Sequence, residues 1–244
     1  MQFNWLLDRP IAHRGFWGEG DHGEPFCAEN SLTAYQRAIE HNYNIEIDVH
    51  LLPDGNFAVF HDGSLKRVCG VDGKVNKLTT AELKNYHLSG TEDTIPTLQE
   101  VLDLVNGQVG LLIEMKDYFD SKGVMCAKLY DALKDYKGNY AIQTFNFQVG
   151  GTLKWWRDHT KDIPLGVLSL KIANFILPSI VKKCAVDFIA YDVNGFPNKF
   201  IQKKQTEGIK LLSWTIRSKA LHDKAIANHV DNIIFDTYRL PKEE

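Results

Sequence analysis

Short apolar runs rich in β-branched residues alternate along this chain with longer segments whose apolar residues recur every three or four positions. The runs PIAHRGF (10–16), NIEIDVHLL (44–52), FAVFHD (57–62), GLLIEMK (110–116), YAIQTF (140–145), IPLGVLSL (163–170), DFIAYDV (187–193), KLLSWTI (210–216) and DNIIFD (231–236) predict strands. Between them, SLTAYQRAIEHN (31–42) places Leu32, Tyr35 and Ile39 on one stripe behind the start signal ENS. TLQEVLDLV (97–105) follows Pro96 with Leu98, Val101, Leu102 and Val105 at helical spacing, and MCAKLYDALKDY and SKALHDKAIANH follow the same pattern.

Nine strands are one too many for a parallel (β/α)8 barrel. The turn PDG (53–55) accounts for the excess: so short a link between Leu52 and Phe57 allows an antiparallel hairpin but not a parallel crossover. The expected fold is therefore α/β, a (β/α)8 TIM barrel with an extra antiparallel hairpin strand. Residues 63–109 exceed what one helix needs, so a small insertion after strand two is expected there. No repeat or linker divides the chain, and residues 1–244 read as a single domain.

Composition narrows the function classes. Hydrophobic residues make up 44% and charged residues 24%, ordinary for a globular protein. A net charge of −3 argues against nucleic-acid binding, which needs a basic face. Cys27, Cys69, Cys126 and Cys184 contain no CxxC pair and read as reduced thiols. The start MQFNWLLDRP has no secretory pattern, and Pro178 and two lysines interrupt the most apolar stretch, IANFILPSIVKKCAV. A cytoplasmic protein without stable membrane insertion is expected, its oligomeric state left open.

The candidate chemistry sits on strand ends. In NIEIDVHLL, Ile45, Ile47 and Val49 share one face, and Glu46, Asp48 and His50 the other. LLIEMK repeats the device with Leu112, Glu114 and Lys116. Glu46, Asp48 and Glu114 would converge at the C-terminal rim, where repulsion among three carboxylates calls for a counter-ion. A hard divalent cation with oxygen ligands, Mg²⁺ or Ca²⁺, meets that need. His13 and His61 would flank it with groups suited to proton transfer, and Arg14 and Lys116 add charge suited to phosphate oxygens. Taken singly, each glutamate could be an ion-pair partner and each histidine structural. As a set they describe phosphoryl-ester cleavage. His50, further along its strand, reads as structural.

These residues resemble the glycerophosphodiester phosphodiesterase family. The resemblance rests on HRG at 13–15, AENSLTAYQRAI from Ala28, EIDVHLLPDGNFAVFHD from Glu46, IPTLQEVLDLV and EMK, and continues more weakly through LLSWTI and VDNIIFDT. It implies a metal-dependent enzyme in which Glu46, Asp48 and Glu114 bind the cation, His13 and His61 act as acid and base, and Arg14 and Lys116 hold phosphate. Phe145 and Trp214 fall where the family places aromatic groups beside the substrate, although inward aromatics also fill barrels. Arg217 stands where the family usually has Asn, and the acidic loop around 16–28 is long. The implied reaction is hydrolysis of a small-molecule glycerophosphodiester to glycerol 3-phosphate and an alcohol, within lipid and glycerol metabolism. The rival readings are a lysophospholipase D or C, using FILPSIV (175–181) toward an apolar groove, and a non-catalytic phosphodiester-binding protein.

Overall fold

A computed structural model describes residues 3–19, 25–116, 123–145, 151–173 and 175–237. Nine strands appear among them: β1 (Ile11–His13), β2 (Asn44–Leu51), β3 (Phe57–Val59), β4 (Leu111–Met115), β5 (Tyr140–Thr144), β6 (Leu165–Ser169), β7 (Phe188–Asp192), β8 (Lys210–Ile216) and β9 (Asn232–Phe235). Eight of them form a parallel ring: the sheet runs β1-β9-β8-β7-β6-β5-β4-β2, and β1 also pairs with β2 to close it. β3 stands outside the ring, antiparallel to β2 through Val49↔Val59 and Leu51↔Phe57. The expected TIM barrel with one extra hairpin strand is the fold found.

The helices are α1 (Leu32–Glu40), α2 (Lys66–Cys69), α3 (Leu98–Val105), α4 (Val124–Leu133), α5 (Thr152–His159), α6 (Leu177–Cys184), α7 (Lys199–Thr206) and α8 (Lys219–Ala227). Local chemistry sets their starts. Ser31 caps α1 by accepting from the Ala34 N–H, and Thr97 and Glu100 form a reciprocal capping box at α3. The apolar stripes read from the sequence face the sheet, with Tyr35, Leu98, Val101, Leu102 and Val105 all buried.

Alternation along the strands divides the core in two. Ile45, Ile47, Val49, Ile113, Met115, Ile142 and Val167 point outward and pack under the helices. Ile11, Leu112, Ala141, Leu168, Phe188, Ala190, Leu212 and Ile234 point inward and fill the barrel. The N-terminal segment seals the floor, where Leu6 joins the inward cluster. Asn44 and Asn232, at the starts of β2 and β9, donate side-chain N–H groups to the carbonyls of Trp5 and Leu6 at 2.8 and 2.7 Å. With the floor and interior packed, the inward polar positions open only at the strand C-termini.

Residues between β3 and α3 build a separate small cluster of Phe60, Leu65, Val68, Val75, Leu83, Leu88 and Ile95 around α2. In the FILPSIV segment Leu177, Ile180 and Val181 are buried on α6, Phe175 projects into solvent, and Ile176, Leu177 and Ile180 line a small recess with Phe145 and Leu168. The amphipathic period of α6 turns its apolar face to the sheet.

Candidate active site

The inward faces of β1, β2 and β4 meet at the mouth of the barrel. His13 is in register with Glu46, and Asp48 with Glu114, so the carboxylates lie on neighbouring strands of one rim. One oxygen from each of Glu46, Asp48 and Glu114 lies within 4.8 Å of the others, and all three residues are buried. After His13 the chain turns through Arg14 (φ 61°) and Gly15 (φ 82°). A Cβ on Gly15 would lie 2.9 Å from the Ala34 Cβ, so only glycine fits. That turn aims the Arg14 backbone N–H at Glu46 Oε2, 3.1 Å away.

Positive charge answers the carboxylates unevenly. Lys116 Nζ lies 2.8 Å from Asp48 Oδ1 and donates to Glu114 Oε1 at 2.6 Å, while Arg14 Nε is 3.5 Å from Asp48 Oδ2. Burial pushes Asp48 up, but Lys116, His61 and Arg14 outweigh it and hold Asp48 well below the usual carboxylate range. Burial, with Asp48 adding to it, lifts Glu114 to about 7 despite Lys116. Burial and the charges of Asp48 and Glu114 push Glu46 well above its ordinary value. Glu46 Oε1 is buried with no hydrogen-bond partner. An all-oxygen set with an orphaned, buried oxygen, whose carboxylates repel one another when ionised, fits a hard divalent cation, which Glu46, Asp48 and Glu114 could hold.

His61 follows β3, with Nδ1 2.6 Å from Asp62 Oδ1. Burial drives its pKa down to about 4, with Lys116 and Arg14 assisting and Asp48 opposing. Arg67 of α2 grips Asp62 with Nε (2.7 Å) and Nη2 (3.0 Å). The same guanidinium donates to both oxygens of Glu29 at 2.8 and 2.7 Å, and Glu29 accepts from Arg14 Nη1 at 2.8 Å. A continuous ionic chain thus runs from His61 through Asp62, Arg67 and Glu29 to Arg14. His13, across the mouth, has Nδ1 3.8 Å from Asp236 Oδ2, and Asp236 accepts from Arg217 Nε at 2.8 Å. Burial lowers the His13 pKa against the raising effect of Asp236.

His13, Arg14, Glu46, His61, Glu114, Phe145 and Trp214 line one cavity of about 290 Å³, with Gln143, Asp192, Asn194 and Arg217. Asp48 and Lys116 sit beside them in contact with Glu114 or Arg14. Phe145 meets Trp214 edge-on at 5.5 Å, and Trp214 Nε1 donates to the Ala190 carbonyl, fixing the indole. Every sequence-derived candidate is therefore brought to this mouth. A larger recess of about 460 Å³ lies at the opposite end, between the N-terminal segment and strand starts around Phe188 and Lys210.

A model of the glycerophosphoryl diester phosphodiesterase family matches residues 13–240. The chain belongs to that family. The family assignment reached from HRG, E-x-D and E-x-K stands, and with it the reading as a phosphodiesterase enzyme. A glycerophosphodiester phosphodiesterase from Caldanaerobacter subterraneus is 28% identical over 93% of this chain and 93% of its own. A phosphodiesterase from Oleispira antarctica, solved in complex with the product sn-glycerol-3-phosphate, superposes with TM-score 0.81 and 25% identity, covering 96% of this chain and 94% of the other. A lysophospholipase D from Rattus norvegicus is 28% identical over 66% of this chain, which spans about half of that longer protein.

Other residues of this family member's site escaped the sequence reading. Glu29 and Asn30 read in the sequence as a helix start and as part of the family resemblance, without a role in the site, yet Asn30 (φ 53°) donates Nδ2 to Asp48 Oδ2 at 2.8 Å and accepts from the Tyr35 hydroxyl at 2.7 Å. Asp62 was adjacent to a candidate but unassigned, and Arg67, Gln143 and Asp236 carried no local signal. His50 is buried as expected, its Nε2 3.2 Å from the His61 carbonyl. No helix among the described residues is long and apolar enough to cross a membrane.

Proposed function

We propose that this chain hydrolyses glycerophosphodiesters to glycerol 3-phosphate and an alcohol, with Mg²⁺ or Ca²⁺ held by Glu46, Asp48 and Glu114. The observation that carries this reading is the buried three-carboxylate cluster, with its orphaned Glu46 oxygen, opening into the same cavity as two histidines. When bound, such a cation neutralises developing phosphate charge and lowers the pKa of a coordinated hydroxyl or water.

The protein groups supply the rest. Arg14 and Lys116 place fixed positive charge beside the phosphate oxygens, as their approach to Asp48 and Glu114 already places them at the mouth. Asp62 engages His61 Nδ1, leaving Nε2 for proton exchange; Asp236 faces His13 Nδ1 from 3.8 Å, beyond hydrogen-bond distance. One imidazole takes a proton from the attacking oxygen as the new P–O bond forms. The other gives a proton to the leaving alkoxide as the old P–O bond breaks. Phe145 and Trp214 wall the glycerol moiety and exclude water from one side.

Release of glycerol 3-phosphate from glycerophosphocholine, with chelator and each metal added back, tests the reading. Activity should vanish in excess chelator and return with Mg²⁺ or Ca²⁺. His13→Ala and His61→Ala should each lose at least about 100-fold in turnover. Persistent activity under chelation, or a folded His61→Ala protein with near-normal turnover, would refute it. The apolar side of the cavity, Phe145, Leu168 and Ile234, also favours a second reading, in which the phosphodiester carries an acyl chain. Faster turnover of lysophosphatidylcholine than glycerophosphocholine would select it.

A further inference from the structure

Ile172 and Phe175 are each 81% exposed, more than any other large apolar residue among those described. Single exposed apolar residues are commonplace. This pair is distinguished by its location, in the connection after β6, whose Leu168 lines the catalytic cavity. Described residues beside each tip are hydrogen-bonded or buried. Ala173 is buried and donates its N–H to the Leu170 carbonyl at 2.9 Å, the Ile176 N–H bonds the Ala173 carbonyl at 3.1 Å, and Leu177 and Ile180 are buried beneath. Two apolar tips are thus held out at the mouth by a packed base.

Past Asp192, which ends β7, the neighbouring connections are basic. The segments following β6, β7 and β8 at this end, residues 170–178, 193–200 and 217–221, contain Lys171, Lys199, Arg217 and Lys219 and not one acidic residue. Lys219 pairs with Asp223 a turn along α8, and Arg217 is engaged with Asp236; among the described residues of these connections, Lys171, next to Ile172, and Lys199, at the start of α7, are exposed.

We propose that this side of the barrel mouth docks on an anionic phospholipid surface, with Ile172 and Phe175 entering the acyl boundary and Lys171 and Lys199 meeting headgroup phosphates. Apolar tips on a lysine-bearing rim match the two layers of such a surface, apolar below and anionic above. A second copy of the chain fits less well: two side chains fall far short of the roughly 800 Å² per partner that a stable protein interface buries. The inference goes beyond the hydrolytic reading and does not depend on turnover. Its consequence is that the cavity would face the layer from which lipid-derived phosphodiesters leave.

Co-sedimentation of the full chain with vesicles of phosphatidylglycerol and phosphatidylcholine, against phosphatidylcholine alone, tests it. The chain should partition onto the anionic vesicles. An Ile172→Ser/Phe175→Ser variant should lose on the order of tenfold or more in partition coefficient. Lys171→Gln and Lys199→Gln should each cost about fivefold, an effect that 0.5 M salt erases. Glycerophosphocholine turnover should be unchanged in all of these variants. Equal partitioning of wild type and the double serine variant would overturn the proposal, as would absence of vesicle binding. So would a wild-type dimer that the serine variant dissociates without any vesicle binding. Vesicle binding by a chain that hydrolyses nothing would retain this inference and reject the hydrolytic one.

Discussion

Arg67 lies outside the cavity, yet its replacement should slow catalysis. In Arg67→Met the side chain keeps its length and loses four hydrogen bonds, two to Glu29 and two to Asp62. Hydrogen bonds to charged groups are worth about 1.5–3 kcal/mol when buried. Arg67 is half exposed, so solvent screens much of this, and Arg14 still answers Glu29. A net loss of about 2 kcal/mol is the expected scale for the set. For a chain of this size that lowers Tm by about 4–8 °C, measurable by calorimetry. The kinetic effect comes from Asp62, which no longer has a partner fixing the carboxylate that engages His61 Nδ1. Losing such a supporting contact typically costs 10–100-fold, and it should appear in kcat more than in KM. Glycerol 3-phosphate release under saturating substrate reads it directly, and Arg67→Lys should recover only part. A kcat within twofold of wild type, in a protein showing the expected Tm loss, would refute the claim that Arg67 positions His61 through Asp62.

Acid should erase the same advantage. Glu29 is lowered, and burial of Asp62 is outweighed by hydrogen bonds from Arg67 and His61 that hold it at about 2. Depressed carboxylates stabilise the fold above their unfolded pKa and lose that contribution as pH falls through the folded value. The Tm gap between wild type and Arg67→Met should therefore be full above about pH 5 and shrink toward pH 2, as Tm measured across that range will show. Gly15→Ala should destabilise by at least about 1 kcal/mol, because the position has φ 82° and a 2.9 Å clash with Ala34 Cβ; urea unfolding checks it. Saturating Mg²⁺ or Ca²⁺, at about 100 times Kd, should add roughly 2.7 kcal/mol to the wild type. Glu46→Gln should remove most of that gain while leaving the metal-free protein near its normal Tm, since Glu46 is held toward its neutral form there.

The fold was legible because its signal is local. Period-two alternation in NIEIDV and LLIEM sorted core from mouth residue by residue, and PDG identified the strand that leaves the ring. The inward carboxylates were legible for the same reason: Glu46, Asp48 and Glu114 are the charged positions of otherwise apolar strands. The supporting residues were not, because their meaning depends on loop paths. Arg67 is 38 positions from Glu29, and Asp236 is more than 200 from His13; nothing in a short window pairs them. Tyr35 and Asn30 registered as helix packing and helix start, which they are, but their hydrogen bonds to each other and to Asp48 appear only once α1 is seated. Arg217 was noticed as an oddity of the rim, and its contact with Asp236 gives it a structural task.

The closure of the ring by β1 against β9 has a consequence for the order of assembly. Ile11 pairs with Ile234, so β1 waits for β9, more than 200 residues later, before it has both neighbours. Such distant pairing is the slow kind, since a long loop must close before the contact stabilises anything. His13 ends the first of these strands and Asp236 directly follows the second. A chain stopped short of residue 232 would hold all three carboxylates and both histidines and still lack the brace behind one of them. Synthesis itself would then act as a check on activity: a nascent or truncated copy should have little hydrolytic capacity until β9 arrives.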